Sequence, residues 1–187
     1  MTANFVNIMS SGTARKLQEK AGSRASYAAM EARANGAADQ LTEREAEFIG
    51  ARDSFYMASV TEDGWPYVQH RGGPKGFLHL MDVGHVGFAD YRGNRQYMSA
   101  GNFATNDRVA LILVDYPARR RLKLIGHAAH IAADDNPAVF NRLMPAGYKA
   151  IPESAVVISV TAFDWNCPQH ITPRWTAEEF LQFEKDK

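Results

Sequence analysis

The sequence predicts a mainly β protein: an antiparallel barrel, closed or partly closed, with helices at its periphery. Three observations predict it. From Ser54 to Phe163 most apolar runs carry the two-residue period, or the β-branched composition, of strands. Short turns such as Asp63-Gly64 and Val83-Gly84 join successive runs, and connections this short require antiparallel neighbours. Strands and helices do not alternate as βαβ units, which disfavours a doubly wound nucleotide fold.

Residues 1–40 read as an N-terminal helical arm. They are rich in Ala, Ser, Gly, Arg and Glu and hold too little apolar area for a core of their own. Short helices are expected at Arg15–Lys20 and Tyr27–Ala34, interrupted at Gly22 and Gly36. Such an arm either packs on a partner surface or frays. Residues 41–187 form the barrel domain with a C-terminal loop and helix. Thr42-Glu43-Arg44-Glu45 is a capping box that opens a short helix through Phe48, Ile49 and Arg52.

Strands are expected at Phe55–Val60, Pro66–Arg71, Phe77–Asp82, His85–Asp90, Arg108–Val114, Arg120–Ala132 and Ser154–Phe163. Gly126 marks a bend or bulge in the long strand. Helices are expected at Arg95–Thr105, at Pro137–Met144 with Asn136 as cap, and from Thr176, where Glu179 completes a second capping box.

Composition bounds the function. Lys plus Arg and Asp plus Glu both total 21, so the formal net charge is zero. A general nucleic-acid binder would show a basic excess; any anion site here must be local. Residues 1–10 lack the basic start and apolar core of a signal peptide. No window approaches the roughly 18 apolar residues of a membrane span. With one cysteine, Cys167, no intrachain disulfide can form, which fits a reducing compartment. The expectation is a cytoplasmic protein that contacts neither membrane nor nucleic acid.

The densest candidate site is Arg92-Gly93-Asn94-Arg95-Gln96, between a strand and an expected helix. A turn, two guanidinium groups and the free N–H groups of a helix start suit a phosphate. A solvated turn explains the same residues about as well. Gln69-His70-Arg71-Gly72-Gly73-Pro74 lacks dinucleotide-fingerprint spacing but allows close approach to a flat ligand. Lys123 shares a strand face with Arg121 and could line a pocket with it. His127 and His130, three apart on a strand, point to opposite faces, so no metal site is read there. The loop Asp164–Trp175 carries Trp165, Gln169, His170, Arg174 and Trp175, and suits a ligand-covering segment or an interface. No nucleophile-elbow or P-loop motif occurs.

Three segments in this order resemble a known family: Phe55–Arg71 with its Glu62-Asp63-Gly64-Trp65-Pro66-Tyr67 turn, Phe88–Tyr97, and Asn106–Leu111. The chain resembles the pyridoxamine 5'-phosphate oxidase-like, FMN-binding split-barrel family over about residues 45–175. Gln69–Pro74 and Trp165–Ile171 match an uncharacterised branch. The resemblance implies a six-stranded Greek-key split barrel, a homodimer, and FMN at the subunit interface. It implies that Arg95 and Gln96, with Arg92 and Asn94 beside them, hold the FMN phosphate. Arg71 on the second strand and Lys123 on the fifth long strand would face the cofactor; Trp165 and Arg174 would complete the site from the C-terminal segment. Gln69 and His70 could approach the ring or ribityl chain. Gln96 stands where the oxidase carries lysine, and the C-terminal segment lacks its Arg-x-His pattern, so vitamin B6 phosphate is not the expected substrate. The implied activity is a flavin-dependent oxidoreductase drawing on a small molecule or a reduced nicotinamide, with no acid or base assigned. The alternatives are a non-catalytic flavin-binding or flavin-sensing dimer, a haem-handling relative with His70 or His170 as iron ligand, and a deazaflavin binder.

Overall fold

A computed structural model describes residues 2–185. Among the described residues seven strands form one antiparallel sheet: β1 Ser54–Val60, β2 Pro66–Gly72, β3 His79–Asp82, β4 His85–Tyr91, β5 Arg108–Asp115, β6 Arg120–Ala132 and β7 Pro152–Trp165. Their order across the sheet is β2-β1-β5-β6-β7-β4-β3. The fold is the mainly β barrel with peripheral helices that the sequence predicts. The seventh strand, beyond the implied six, is the short β3, which pairs only with the first residues of β4. The later part of β4, from Phe88 to Tyr91, therefore has β7 on one side and faces β2 across a gap on the other. This gap is the split in the barrel wall.

The core lies inside the sheet. Phe55 and Met57 from β1, Leu111 and Leu113 from β5, Leu122 and Leu124 from β6, and Val156 and Ile158 from β7 are buried there. Phe55 stacks on Phe77 at 5.6 Å and meets Phe88 edge-on at 5.3 Å, so the wall facing the split is filled with aromatic side chains. Burial of each such side chain is worth about 1.5–3 kcal/mol.

Gly64, at φ 86°, makes the β1–β2 turn, a conformation open chiefly to glycine. Gly126 has a different reason. A Cβ there would lie 2.1 Å from the Ser159 carbonyl oxygen, and the β6–β7 register shifts beside it, pairing Ile125 with Ala162 but Gly126 with Val160. The extra residue, Thr161, sits in β7. Inward-facing positions on β7 consequently change from Val156, Ile158 and Val160 to Phe163 and Trp165.

The arm closes on this bulge. Helices α1 Ala3–Met9, α2 Gly12–Lys20 and α3 Arg24–Glu31 fill it. The Asp39 N–H donates to the Thr161 carbonyl at 3.0 Å. The Asp39 carboxylate accepts from the Phe163 N–H at 3.1 Å and the Thr2 hydroxyl at 2.5 Å. Phe5 of α1 is buried against Ile125 and Ala162 on the outer face of the sheet. The sequence left open an arm that frays or lies on a partner; α1 packs instead on its own sheet. In α3, the Arg24 guanidinium hydrogen-bonds the Glu31 carboxylate at 2.5 Å and draws its pKa down to about 2.

Helix α4 Glu43–Gly50 starts at the expected capping box. Glu45 is buried, and its carboxylate accepts from the Thr42 N–H at 3.0 Å and from the Trp165 indole at 2.6 Å. Burial pushes its pKa up, but these hydrogen bonds outweigh burial and hold it low. The remaining helices are α5 Met98–Thr105, α6 Pro137–Arg142 and α7 Ala177–Lys185. The capping box at the last forms as read: Thr176 N–H to Glu179 at 2.8 Å, and Glu179 N–H to Thr176 at 3.2 Å. No helix among the described residues is long and apolar enough to cross a membrane.

Candidate functional site

The expected helix from Arg95 begins three residues late, at Met98. Arg95 has φ 61° and Tyr97 φ 50°, left-handed conformations that no α-helix accommodates. The segment from Arg92 to Tyr97 is therefore a loop that turns back on itself. Its first N–H, of Arg92, still donates to the Ile151 carbonyl at 2.8 Å, and the Gln96 N–H donates to the Asn94 side chain at 3.2 Å. The left-handed turns bring the side chains of Asn94, Arg95 and Gln96 to the mouth of a cavity of about 70 Å³.

Around that cavity stand Tyr67, Gln69 and Arg71 of β2, Asp90 and Tyr91 of β4, and Met98, Ser99 and Ala100 of the first turn of α5. These three helix positions carry N–H groups without an intrahelical partner. His130, Glu153 and Ser154 complete the lining from the ends of β6 and β7. Tyr67, Gln69 and Arg71 share one face of β2 because alternate residues do. Gln69 accepts a hydrogen bond from the buried Ser99 hydroxyl at 2.9 Å, which ties β2 to α5.

The cavity carries balanced charge. Arg71 is ion-paired with Asp90, yet its Nε is buried without a hydrogen-bond partner among the described residues. Arg92 Nε donates to Glu153 at 2.7 Å, Arg95 Nε lies 4.0 Å from the same carboxylate oxygen, and the Tyr97 hydroxyl donates to its other oxygen at 3.3 Å. The Arg92 hydrogen bond is the main cause that holds the Glu153 carboxyl below its ordinary pKa. The Tyr91 hydroxyl is buried without a hydrogen-bond partner among the described residues, and desolvation pushes its pKa up to about 12.

Of the sequence-derived candidates, Gln69, Arg71, Asn94, Arg95 and Gln96 line this one cavity, and Arg92 reaches its edge through Glu153. The others lie elsewhere within the protomer. His70 points to the opposite face of β2, where its ring meets Tyr56 edge-on at 5.4 Å. Lys123 sits seven residues along β6 from His130, about 23 Å away. Its ammonium pairs with the buried Asp164 at 2.9 Å and lies 4.8 Å from the centre of the Phe5 ring. Trp165 is packed edge-on against Phe48 at 4.7 Å, with the Arg44 and Arg120 guanidinium groups over its faces at 4.4 and 4.9 Å. Arg174 stacks on Tyr116 at 4.9 Å. His127 pairs with Asp107 at 2.9 Å, away from His130. Among the described residues no three His, Cys, Asp or Glu side chains gather where they could hold a metal ion.

Sequence reasoning missed Ser99, His130 and Glu153. Ser99 was counted only as a helix residue and His130 only as a sheet residue. Glu153, next to Pro152 at the start of β7, carries no local motif.

The family model described as pyridoxamine 5'-phosphate oxidase matches residues 41–166, more than half of the chain and all seven strands. The chain belongs to the pyridoxamine 5'-phosphate oxidase family. No curated protein matches it. Among solved structures, a putative pyridoxamine 5'-phosphate oxidase from Lactobacillus delbrueckii shares 21% identity and covers 67% of this chain and 93% of its own, with a TM-score of 0.50. Group A Streptococcus HupZ shares 14%, covering 72% and 99%, at a TM-score of 0.50. An FMN-binding protein from Syntrophomonas wolfei shares 11%, covering 67% and 88%, at 0.50. These likenesses establish the split-barrel fold. Within that fold, the family match includes both walls of the cavity, from Tyr67 to Ser154.

Proposed function

We propose that this protein is an FMN-binding flavoprotein and acts as a flavin-dependent oxidoreductase on a small molecule other than vitamin B6 phosphate. One observation carries the reading. The loop of Asn94, Arg95 and Gln96, the free N–H end of α5, and Arg71 with its unpartnered Nε converge on one cavity. This donor set suits a phosphoryl group: planar guanidinium forks and helix-start N–H groups both favour an anion. At about 70 Å³ the cavity matches a head group and not a whole cofactor, since complete small-molecule sites run to roughly 300–1,000 Å³.

The remaining surface has to come from outside the protomer, and the same reading supplies it as a homodimer. On the outer face of β2, β1, β5 and β6, Tyr56 and Val68 are 43% and 61% exposed. With Ala110, Ile112 and Met9 they line an apolar groove of about 380 Å³. A second copy on this face would cover that groove and could bring its own Lys123 towards the first protomer's ring site. The cytoplasmic setting belongs to the same reading, with the single exposed thiol of Cys167 in its support.

In this assignment Arg95 and the α5 N–H groups bind the phosphate. Gln69, fixed by Ser99, and Arg71, fixed by Asp90, orient what lies beyond it. A flavin held there would supply two-electron, hydride-accepting chemistry. The family match and the FMN-binding neighbour named above both favour FMN as the occupant.

The deciding experiment is the visible spectrum of the purified protein, followed by titration with FMN. A flavin spectrum, or saturable uptake, is expected; a colourless protein that takes up no FMN overturns the reading. Arg95→Glu should weaken FMN binding at least ten-fold, or about 1.4 kcal/mol, while leaving the fold intact. Reduced nicotinamide and a panel of acceptors then separate an enzyme from a flavin carrier: turnover supports the former, and silence with bound flavin the latter.

A further inference from the structure

Every cationic side chain of the 92–97 loop converges on one carboxylate. Glu153 accepts from Arg92 Nε at 2.7 Å and from the Tyr97 hydroxyl at 3.3 Å, and it lies 4.0 Å from Arg95 Nε. These partners come from a single six-residue stretch, and Glu153 comes from the start of β7, 56 to 61 residues later. Two oxygens bridging two guanidinium groups and a hydroxyl make the contact set that a phosphate would make. Glu153 also lines the cavity itself. Its side chain is 24% exposed, against 46% for Arg92 and 60% for Arg95, so the carboxylate is the inner member of the cluster and the arginines are the outer ones.

We propose that Glu153 is a built-in competitor for the phosphate site. It neutralises Arg92 and Arg95 when no phosphate is bound, and a phosphorylated ligand must draw those guanidinium groups away from it. This inference rests on the reading of the cavity as a phosphate site and adds the residue that moderates its affinity for phosphate. A neutral or singly charged head group gains too little from the arginines to separate them from a carboxylate. A dianionic phosphate gains more, because charge-assisted bonds strengthen with acceptor charge. Glu153 would therefore lower the affinity for FMN and leave that for riboflavin unchanged, because only the phosphate has to displace it.

The alternative is that Glu153 merely braces the loop. The two roles predict opposite signs. FMN and riboflavin are titrated into the wild type and E153Q by flavin fluorescence, and inorganic phosphate is tested by its effect on Tm. Glutamine keeps the shape and one acceptor oxygen but removes the charge. For a competitor, E153Q binds FMN about five-fold more tightly, the effect of releasing one exposed ion pair. Riboflavin binding stays unchanged, and phosphate raises the Tm of E153Q more than that of the wild type. Weaker FMN binding, or an equal change for both flavins, shows a bracing role and overturns the inference. If neither protein binds a flavin but phosphate still protects E153Q preferentially, the flavin reading fails and the competitor stands. If phosphate also fails to distinguish the two proteins, both fail.

Discussion

Arg71 on β2 and Asp90 on β4 form an ion pair across a gap where the two strands share no backbone pairing among the described residues. Both side chains are largely buried, at 14% and 20% exposure. The pair is therefore a side-chain bridge where the barrel lacks a backbone one. Its guanidinium also lies 5.6 Å from the centre of the Phe88 ring, which joins the bridge to the aromatic wall behind it.

Removal of either partner strands a partly buried charge. Asp90→Asn and Arg71→Met should each lower unfolding stability by about 1.5–3 kcal/mol, read from urea denaturation. The double variant should lose less than the sum of the two, since it leaves no orphan charge. Strict additivity would mean that the two side chains do not stabilise one another. Because Arg71 lines the cavity, the Arg71→Met variant should also weaken any phosphorylated ligand.

Gly126 has no such functional tie. Its added Cβ would meet the Ser159 carbonyl oxygen at 2.1 Å, and a backbone atom between two long strands cannot move aside cheaply. Gly126→Ala should cost about 3 kcal/mol or more. Gly101, exposed in α5 with nothing within 4 Å of its Cβ position, is the control; Gly101→Ala should be neutral or stabilising by roughly 0.5–1 kcal/mol. Equal effects at the two sites would remove the steric argument.

These residues also show what the sequence could reveal. Asp63-Gly64 and the Thr42 and Thr176 capping boxes were legible because their chemistry is local: the side chain or its absence acts within a few residues. Gly126 marked the irregularity, but the extra residue, Thr161, lies in the partner strand β7. The start of α5 was misplaced because left-handed backbone at Arg95 and Tyr97 leaves no mark on non-glycine residues. Trp165 reads as a loop aromatic until Glu45, 120 residues away, accepts its indole proton. Lys123 could be placed on a strand face but not assigned to a cavity. That choice depends on the bulge and on α1, which covers the outer face through Phe5. The Arg92–Tyr97 loop was found by its arginines, while Glu153, which faces them, was invisible without the β4–β7 pairing.

The arm's ion pair makes a pH prediction. Glu31 has its carboxyl lowered to about 2, chiefly by the hydrogen bond from Arg24. An acid whose folded pKa lies below its unfolded value stabilises the fold at all pH above the unfolded value, near 4.3–4.5. That contribution falls away as pH drops from there towards 2. Carboxyl-carbon NMR should place the Glu31 titration near 2 in the wild type and back in the ordinary range in Arg24→Gln. Protease resistance of α3 should fall over the same window. A Glu31 that titrates normally in the wild type would show that the pair does not persist in solution.

The apolar outer face gives the last prediction. Val68 is 61% exposed on β2, beside Tyr56 and across the groove from Lys123. In an isolated protomer, Val68→Asp is a surface change, expected within about 0.5 kcal/mol of neutral. In a homodimer it would place an unpaired carboxylate in an apolar interface, where burial without a partner is strongly unfavourable. Sedimentation should therefore find the wild type dimeric and the variant monomeric with unchanged secondary structure. FMN affinity should fall with dissociation even though Val68 lies outside the Arg71–Arg95 cavity, because a 70 Å³ pocket has room for a head group only. A variant that stays dimeric would move the interface to another face. A monomer that keeps its FMN would mean that one protomer holds the whole cofactor.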